Sequence, residues 1–398
     1  MSSPPVVVLA GEQNALSAAR SLGARGIAVY TIGEELPGRV VGSSRFVQRR
    51  WITRDPDDPT AEWMQWFERR PVPGAVVFPC SDAALEFLAS SRQPLEQLGY
   101  RPLEAADEVT LTMLDKAATY EAAARVGVDV PRTEVVRTLG DADRVAAAFE
   151  YPCALKPCSS HLFALQFGVK AVQVASDDEL RRVFERILPS GLEMLVTEIV
   201  PGVDDEYRSY YTYLDEHGEP LFHFTKRKLR QYPPGFGLGT FQDTLWDPEV
   251  AELGLRFLSG VGLRGIGNVE FKRDARDGRL KLIECNPRLT AADRLVQAAG
   301  TDIPYVAYRR AAGLPVESRF ECRDGVSLWD PGPDVRAFHL ARRAGATTTH
   351  SWLASLARPH HLPYFEWRDP MPSVTRTARR LPRLARGLGR RAVERVRR

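Results

Sequence analysis

Cysteine is scarce in this sequence, and long apolar runs are absent from it. The five cysteines among 398 residues are scattered and none forms a C-x-x-C pair, which excludes a disulfide framework and a paired-cysteine zinc site. No run approaches the roughly 20 apolar residues that span a bilayer, and the first residues lack the basic region of a signal peptide. We therefore expect a cytoplasmic protein in a reducing compartment.

Acidic charge is almost missing from the C-terminal end. Residues 376–398 hold ten arginines and one glutamate, a net charge of +9, whereas the whole chain carries only +3. The first 375 residues therefore sum to −6. A mildly acidic body argues against a specific nucleic-acid partner and concentrates any attraction to anionic surfaces in the tail.

The basic tail also repeats apolar residues at three- and four-residue intervals. An apolar stripe beside a basic face is typical of a helix that lies in a membrane interface. We therefore predict peripheral contact with an anionic membrane at its inner face, with a solvated tail as the alternative. The apolar positions are Leu381, Leu384, Leu388, Ala392 and Val396.

The hydrophobic pattern changes near residue 105. Before that point, an apolar run, a helical stretch ending near Gly26 and a second apolar run predict a doubly wound parallel sheet. No G-x-G-x-x-G follows the first strand, so a dinucleotide fingerprint is absent. Beyond it, helices mixed with antiparallel strands indicate an α+β fold. We divide the chain into an α/β domain (1–105), an α+β domain (106–320), an extension of unassigned structure (321–375) and the basic tail (376–398).

The segment 266–288 predicts a hairpin with polar residues on one face. If its turn is centred on Asp277, Glu270 lies opposite Glu284, and side-chain alternation places Asn286 on the same face. Two carboxylates and an amide oxygen are hard ligands that suit magnesium, although a solvated polar face is the alternative. We expect Asn268 on the polar face, and Val269, Phe271, Ile283 and Cys285 in the core.

Further motifs accompany this hairpin in order along the chain. They are Leu-Asp-Lys116, Ala-Leu-Lys156-Pro, Glu198-Ile-Val-Pro-Gly202 and Asp204-Asp205-Glu206, followed by Asn268-Val-Glu270-Phe and Ile283-Glu-Cys-Asn-Pro-Arg288. Together they resemble the ATP-grasp superfamily, and within it the carboxylate–amine ligases of the D-aspartate ligase type and the synthetase domains of carbamoyl phosphate synthase. Lys228-Leu-Arg230-Gln-Tyr-Pro-Pro is most similar to the former. The resemblance implies an ATP-grasp fold of two α+β lobes after the N-terminal domain.

The resemblance also implies roles for the matching residues. Lys116 and Lys156 would contact ATP phosphates, and Ser160 would donate to them where many relatives have a glycine-rich loop. Arg288 would stabilise an acyl phosphate and the tetrahedral intermediate that forms from it. Lys228 would act beside a substrate-closing loop at 231–240. The alternative is that Lys228 belongs to a basic edge strand. Adenine would be held by Glu198 and by the backbone of Ile199 and Val200. The ribose would be bound by Glu206 or Asp205. The Mg²⁺ or Mn²⁺ ion would be bound by Glu270, Glu284 and Asn286.

The resemblance predicts an ATP- and magnesium-dependent ligase. ATP would phosphorylate a small-molecule carboxylate, and an amine would then attack the acyl phosphate to form an amide or peptide bond. A kinase with the same fold is one alternative. A catalytically weak nucleotide-binding assembly factor tethered to a membrane is another.

Overall fold

A computed structural model describes residues 3–55, 58–158 and 171–379. The N-terminal part is a parallel five-stranded sheet with strand order β3-β2-β1-β4-β5, as the strand–helix–strand pattern predicts. β1 is buried along its whole length because both of its edges are paired and helices cover the sheet. The elements are β1 (Val6–Leu9), α1 (Gln13–Gly23), β2 (Val29–Gly33), α2 (Glu35–Val41), β3 (Val47–Ile52), α3 (Pro59–Glu68), β4 (Val76–Pro79), α4 (Asp82–Gln97) and β5 (Arg101–Pro102).

Two helices lead from this sheet into a small antiparallel lobe. The lobe contains a four-stranded sheet with strand order β6-β9-β7-β8. Its helices cover one face through a core that includes Leu155, Leu180 and Phe184. The elements are α5 (Asp107–Leu114), α6 (Lys116–Arg125), β6 (Thr133–Val136), α7 (Leu139–Ala146), β7 (Cys153–Pro157), β8 (Val172–Val174), α8 (Asp177–Ile187) and β9 (Met194–Glu198).

A larger antiparallel sheet follows, with strand order β14-β13-β10-β11-β12-β15. One face packs on α6 and α9 through a core that contains Tyr210, Phe257 and Phe271. The elements are β10 (Tyr207–Leu214), β11 (Phe224–Tyr232), β12 (Leu238–Thr244), α9 (Pro248–Gly260), β13 (Gly265–Arg273), β14 (Leu280–Asn286), α10 (Asp293–Ala299), α11 (Ile303–Ala311), β15 (Ser327–Trp329), α12 (Pro331–Arg343) and α13 (Thr349–Leu356).

The predicted hairpin is present as β13 and β14, and its central register is confirmed, with Glu270 opposite Glu284. The register then shifts, because Phe271 pairs with Leu282 and the residue between the paired positions forms a bulge. The bulge turns Leu282 into the core and leaves Ile283 only half-buried. The prediction that Ile283 is a core residue is therefore wrong, whereas Val269, Phe271 and Cys285 do lie in the core.

Residues 321–375, which have no clear sequence pattern, join both preceding units. β15 adds the sixth strand to the large sheet by pairing with β12. In α12, the buried Asp334 accepts two hydrogen bonds from the Arg230 guanidinium (2.9 and 3.0 Å) and one from the Thr240 hydroxyl (2.8 Å). The indoles of Trp329 and Trp352 donate to the same carboxylate. Since Arg230 and Thr240 flank the β11–β12 turn, these contacts fix the base of that turn.

A buried ion pair ties the end of the described chain to the N-terminal domain. Arg20 in α1 donates to Asp369 at 2.9 Å, and its side chain and that of Asp369 are only 4% and 1% exposed. Ser44 and the Arg45 backbone donate to the same carboxylate. The contact joins residues 349 positions apart in sequence.

The basic tail begins as an ordered helical turn, and most of it lies outside the described residues. Arg376 stacks on the Tyr364 ring, 3.8 Å from the ring centroid, and faces Glu12 and Asp330. The predicted interfacial stripe, which starts at Leu381, falls in the part that is not described. Among the described helices, none is both long and apolar enough to cross a membrane.

Replacing Asp369 with alanine should lower the free energy of unfolding by about 3 kcal/mol, because a buried Arg20 loses its partner. Urea unfolding followed by circular dichroism measures this. The control is Arg256→Ala, which removes an exposed pair with Glu252 and should leave the stability almost unchanged. Equal losses in the two variants would contradict the structural role of the buried pair.

Candidate active site

The register of the large sheet places the candidate residues in a row on one face. Glu284 pairs with Glu270, Glu270 with Ser209, and Ser209 with Lys226, across β14, β13, β10 and β11. Asn286 stands two residues beyond Glu284 on β14 and therefore shares its face. The row has oxygen ligands at one end and an ammonium group at the other.

The oxygen end fits a divalent cation by the chemistry of its donors. The Asn286 amide nitrogen donates to Asn268 Oδ1 at 3.3 Å, which leaves the amide oxygen as the atom that Asn286 can offer. Lys228 Nζ donates to Glu270 Oε1 at 2.7 Å, so one carboxylate oxygen is used. Two carboxylates and one amide oxygen suit Mg²⁺ or Mn²⁺, which complete their coordination with water and phosphate. Among the described residues, no three or more His, Cys, Asp or Glu side chains are grouped so that they could hold a metal ion.

Lys116, from the helix α6 that packs on the large sheet, and Lys156, from the small lobe, bring positive charge to the same place. Lys116 is the first residue of α6 and lines a solvent-open cleft together with Tyr120, Glu284 and Asn286. Lys156 lies near the end of β7. Burial and the like charge of Lys116 lower the pKa of Lys156 to about 8, against the opposing effect of Glu284 and Glu270. The two lysines are therefore close to each other and to the paired carboxylates.

Arg288 is held in position by the N-terminal domain. Its Nε donates to Asp82 Oδ1 at 2.6 Å, and Nη1 donates to the Leu289 carbonyl at 3.2 Å. Ser81 caps α4 by accepting from the Ala84 amide at 3.1 Å, so the Asp82 side chain is not the cap. The sequence leads us to expect that the loop 80–83 influences substrate choice, but no motif gives Asp82 itself this place beside Arg288. Its position just after the parallel strand β4 was the available signal, because such strand ends often form sites.

The carboxylate of Glu198 is already occupied by cations. It accepts from Lys281 and Arg276 at 2.7 Å each and from the Arg132 amide at 3.0 Å. Burial raises the pKa of Glu198, but these hydrogen bonds outweigh it and hold the pKa below its usual value. The Glu198 amide also donates to the Arg132 carbonyl at 2.9 Å, so the backbone at 199 and 200 is what this segment can offer to an adenine edge.

The neighbouring predicted nucleotide contacts are less uniform. The Val200 carbonyl accepts from the buried Lys272 at 2.7 Å, which leaves the Val200 amide for a ligand. Ile199 is half-buried between Glu198 and Val200, just after β9. Glu206 is half-buried at the start of β10, 3.7 Å from Arg208, whereas Asp205 is exposed. Ser160 lies outside the described residues.

The turn between β11 and β12 reaches across to the small lobe. The ring of Phe236 lies 5.7 Å from Lys156 Nζ. Asp204 anchors the turn by accepting from Gln231 at 2.7 Å and from the Gly235 amide at 3.3 Å, and Tyr207 donates to the Gly235 carbonyl at 2.7 Å. The turn is thus placed beside the phosphate-side lysines, where a closing segment is expected.

The sequence comparisons find similarity to an ATP-binding domain, to a ligase and to a synthase. The model of the ATP-binding domain of the carbamoyl-phosphate synthase L chain matches residues 246–319. A D-aspartate ligase from Enterococcus faecium is 25% identical in an alignment of 278 positions that covers 66% of each chain. The carbamoyl phosphate synthase large chain of Archaeoglobus fulgidus is 24% identical in an alignment of 240 positions that covers 56% of this chain but only 21% of that one.

Solved structures share the fold over most of the chain. The biotin carboxylase domain of the Hydrogenobacter thermophilus 2-oxoglutarate carboxylase, in complex with MgADP, ADP and bicarbonate, aligns with a TM-score of 0.63 and 18% identity, covering 81% of this chain and 73% of that one. An L-amino acid ligase from Bacillus licheniformis aligns with a TM-score of 0.59 and 16% identity, covering 80% and 76%.

Replacing Glu284 or Glu270 with glutamine should abolish Mg²⁺-dependent nucleotide binding while the fold persists, because the core lies on the opposite face of the hairpin. Calorimetric titration with ADP, with and without Mg²⁺, measures this. Glu252→Gln on the exposed face of α9 is the control and should bind normally. Unchanged Mg²⁺ dependence in both site variants would contradict the metal assignment.

Proposed function

We propose that this chain, an ATP-grasp protein, is an ATP- and Mg²⁺-dependent ligase that joins a carboxylate to an amine. The observation that carries the proposal is the convergence of lysines from both lobes on the paired Glu270 and Glu284. Phosphoryl transfer consists mainly of positioning and charge neutralisation, which such a cleft provides. The matched regions span two thirds or less of the curated relatives, so their activities support the proposal by similarity only.

In the first step, a carboxylate oxygen of the substrate attacks the γ-phosphorus of ATP. The bond from that phosphorus to the β,γ-bridging oxygen breaks, and ADP leaves. Lys116 and Lys156 hold the triphosphate, and the Phe236 turn excludes water from it. Mg²⁺, held by Glu270, Glu284 and Asn286, would neutralise phosphate charge when bound.

In the second step, the amine nitrogen attacks the carbonyl carbon of the acyl phosphate. Phosphate leaves and the nitrogen loses a proton, which gives the amide. Arg288 is anchored by Asp82 through Nε and can direct its remaining N–H groups at the phosphate and the attacked carbonyl. Lys228 adds positive charge next to Glu270 at the base of the turn.

The names of similar proteins favour an amino acid as the activated carboxylate, since a D-aspartate ligase and an L-amino acid ligase are among them. The test is ADP release by the purified full chain with MgATP, across amino acids and other carboxylates paired with amines, including hydroxylamine. We expect ADP, phosphate and an amide or hydroxamate. A phosphoester product would indicate a kinase, and nucleotide binding without turnover would indicate a binding protein; either would contradict the ligase.

Replacing Arg288 with alanine should lower kcat by about 10²–10³ while the KM for ATP stays nearly constant, because the guanidinium acts on charge that develops during transfer. Arg288→Lys should remain impaired, since lysine lacks the planar fork. Arg279→Ala, at an exposed arginine, is the control. Normal kcat with a raised KM for ATP in Arg288→Ala would contradict the role.

We also propose that the protein is cytoplasmic and that its basic tail contacts the anionic inner membrane face. Each basic residue near such a surface contributes about 1 kcal/mol, so the +9 tail can bind without a lipid anchor. The full chain should co-sediment with phosphatidylserine-containing vesicles at low salt and less at high salt, whereas a chain ending at Thr375 should not. Equal sedimentation of the two chains would remove the tail from this role.

A further inference from the structure

One buried lysine on the site face has no part in the proposed reaction. Lys226 is 2% exposed. Other lysines on this sheet have acceptors: Lys228 bonds to Glu270, Lys272 to the Val200 carbonyl and Lys281 to Glu198. In the described part of the chain, no acceptor lies within hydrogen-bond range of Lys226 Nζ, and its recorded contact is the Tyr211 ring at 6.0 Å.

In the row of paired residues, Lys226 lies on the opposite side of Ser209 from Glu270. Lys226 and Glu270 flank Ser209 in the same row, so two strand spacings of about 4.8 Å each separate their backbones. Tyr211, against which the ammonium lies, is hydrogen-bonded to Thr290 at 2.9 Å, two residues after Arg288. Lys226 therefore lies next to the Tyr211–Thr290 contact near Arg288, whereas Lys156 lies near Lys116, Glu284 and Glu270.

A buried ammonium without an anion is costly, and a bound anion would offset that cost. Burial lowers the pKa of Lys226 to about 7; Glu270 opposes this and Lys228 adds to it. Glu270 forms its hydrogen bond with Lys228 rather than with Lys226. The chain also uses lysine sparingly: all seven lysines lie between residues 116 and 281, and the remaining basic residues are arginines.

We propose that Lys226 binds a second carboxylate of the substrate, one that is not phosphorylated, and so selects short dicarboxylic acids over monocarboxylic acids. The proposal rests on the ligase function proposed above. A single ammonium matches the single charge of a carboxylate better than the double charge of a phosphate group. The reacting carboxylate lies near Arg288 and Lys228, and the second extends along the row toward Lys226.

The experiment compares wild type with Lys226→Met and Lys226→Arg. The matched control is Arg227→Met, which removes one positive charge from the same strand but from the opposite face, where Arg227 pairs with Asp243. Hydroxamate formation is measured with MgATP and hydroxylamine for aspartate against alanine, and for succinate against butyrate. Binding of MgADP and of each acid is measured by calorimetry, and urea unfolding checks that each variant is folded.

We expect wild type and Arg227→Met to use the dicarboxylic acid of each pair. Lys226→Met should raise the KM for that acid about 10- to 100-fold, the range for a lost charged hydrogen bond, with MgADP affinity unchanged. Lys226→Arg should recover part of the loss. An unchanged KM in Lys226→Met, or lost MgADP binding, would overturn the proposal, the latter because Lys226 would then be a phosphate ligand.

Two outcomes separate this proposal from the ligase function. If no carboxylate is turned over, the ligase function fails, and calorimetry then decides the role of Lys226. Dicarboxylate binding that disappears in Lys226→Met supports the proposed carboxylate contact. Dicarboxylate binding that does not depend on Lys226 overturns that contact. If Lys226→Met does not fold, the wild-type comparison decides, because equal use of monocarboxylic and dicarboxylic acids overturns the proposal without any variant.

Discussion

The placement of two carboxylates directly opposite each other, Glu270 and Glu284, is the constraint on which the rest of the site depends. Like charges at opposing positions of an antiparallel ladder destabilise it unless cations offset them. Lys228 supplies one such cation through a 2.7 Å bond, and Lys156 adds a second from the small lobe. The three lysines Lys116, Lys156 and Lys228 carry more positive charge than the two carboxylates can neutralise. This excess of positive charge is the physical basis for binding a polyphosphate with its metal.

Segments far apart in sequence hold this arrangement in place. The N-terminal domain supplies Asp82, which orients Arg288 across 206 residues of chain. The C-terminal segment supplies Asp334, which fixes Arg230 and so the base of the turn that places Phe236 beside Lys156. The N-terminal domain, the small lobe and the C-terminal segment therefore each contribute residues to the site around the large sheet. None of these segments contains all parts of the site.

Local patterns predicted the hairpin well and long-range contacts poorly. The turn at Asp277 and the alternation of side chains are sufficient to set Glu270 against Glu284, because register near a turn is a local property. The sequence gives one sign of the bulge that shifts Ile283 out of the core. Strict side-chain alternation would place the apolar Leu280 and Leu282 on the same face as the carboxylates. The roles of Asp82 and Lys226 depend on contacts with distant elements, and polar residues following a strand or within one have many other uses.

Oxygen transfer from the substrate to phosphate tests the central claim most directly. The full chain is incubated with ATP, an amine and a carboxylate substrate labelled with ¹⁸O in both carboxylate oxygens, and the released phosphate is examined by mass spectrometry. Activation as an acyl phosphate predicts one ¹⁸O atom in each phosphate formed with ADP, because the oxygen that attacks the γ-phosphorus leaves with it. Unlabelled phosphate released alongside the amide would contradict the acyl-phosphate mechanism.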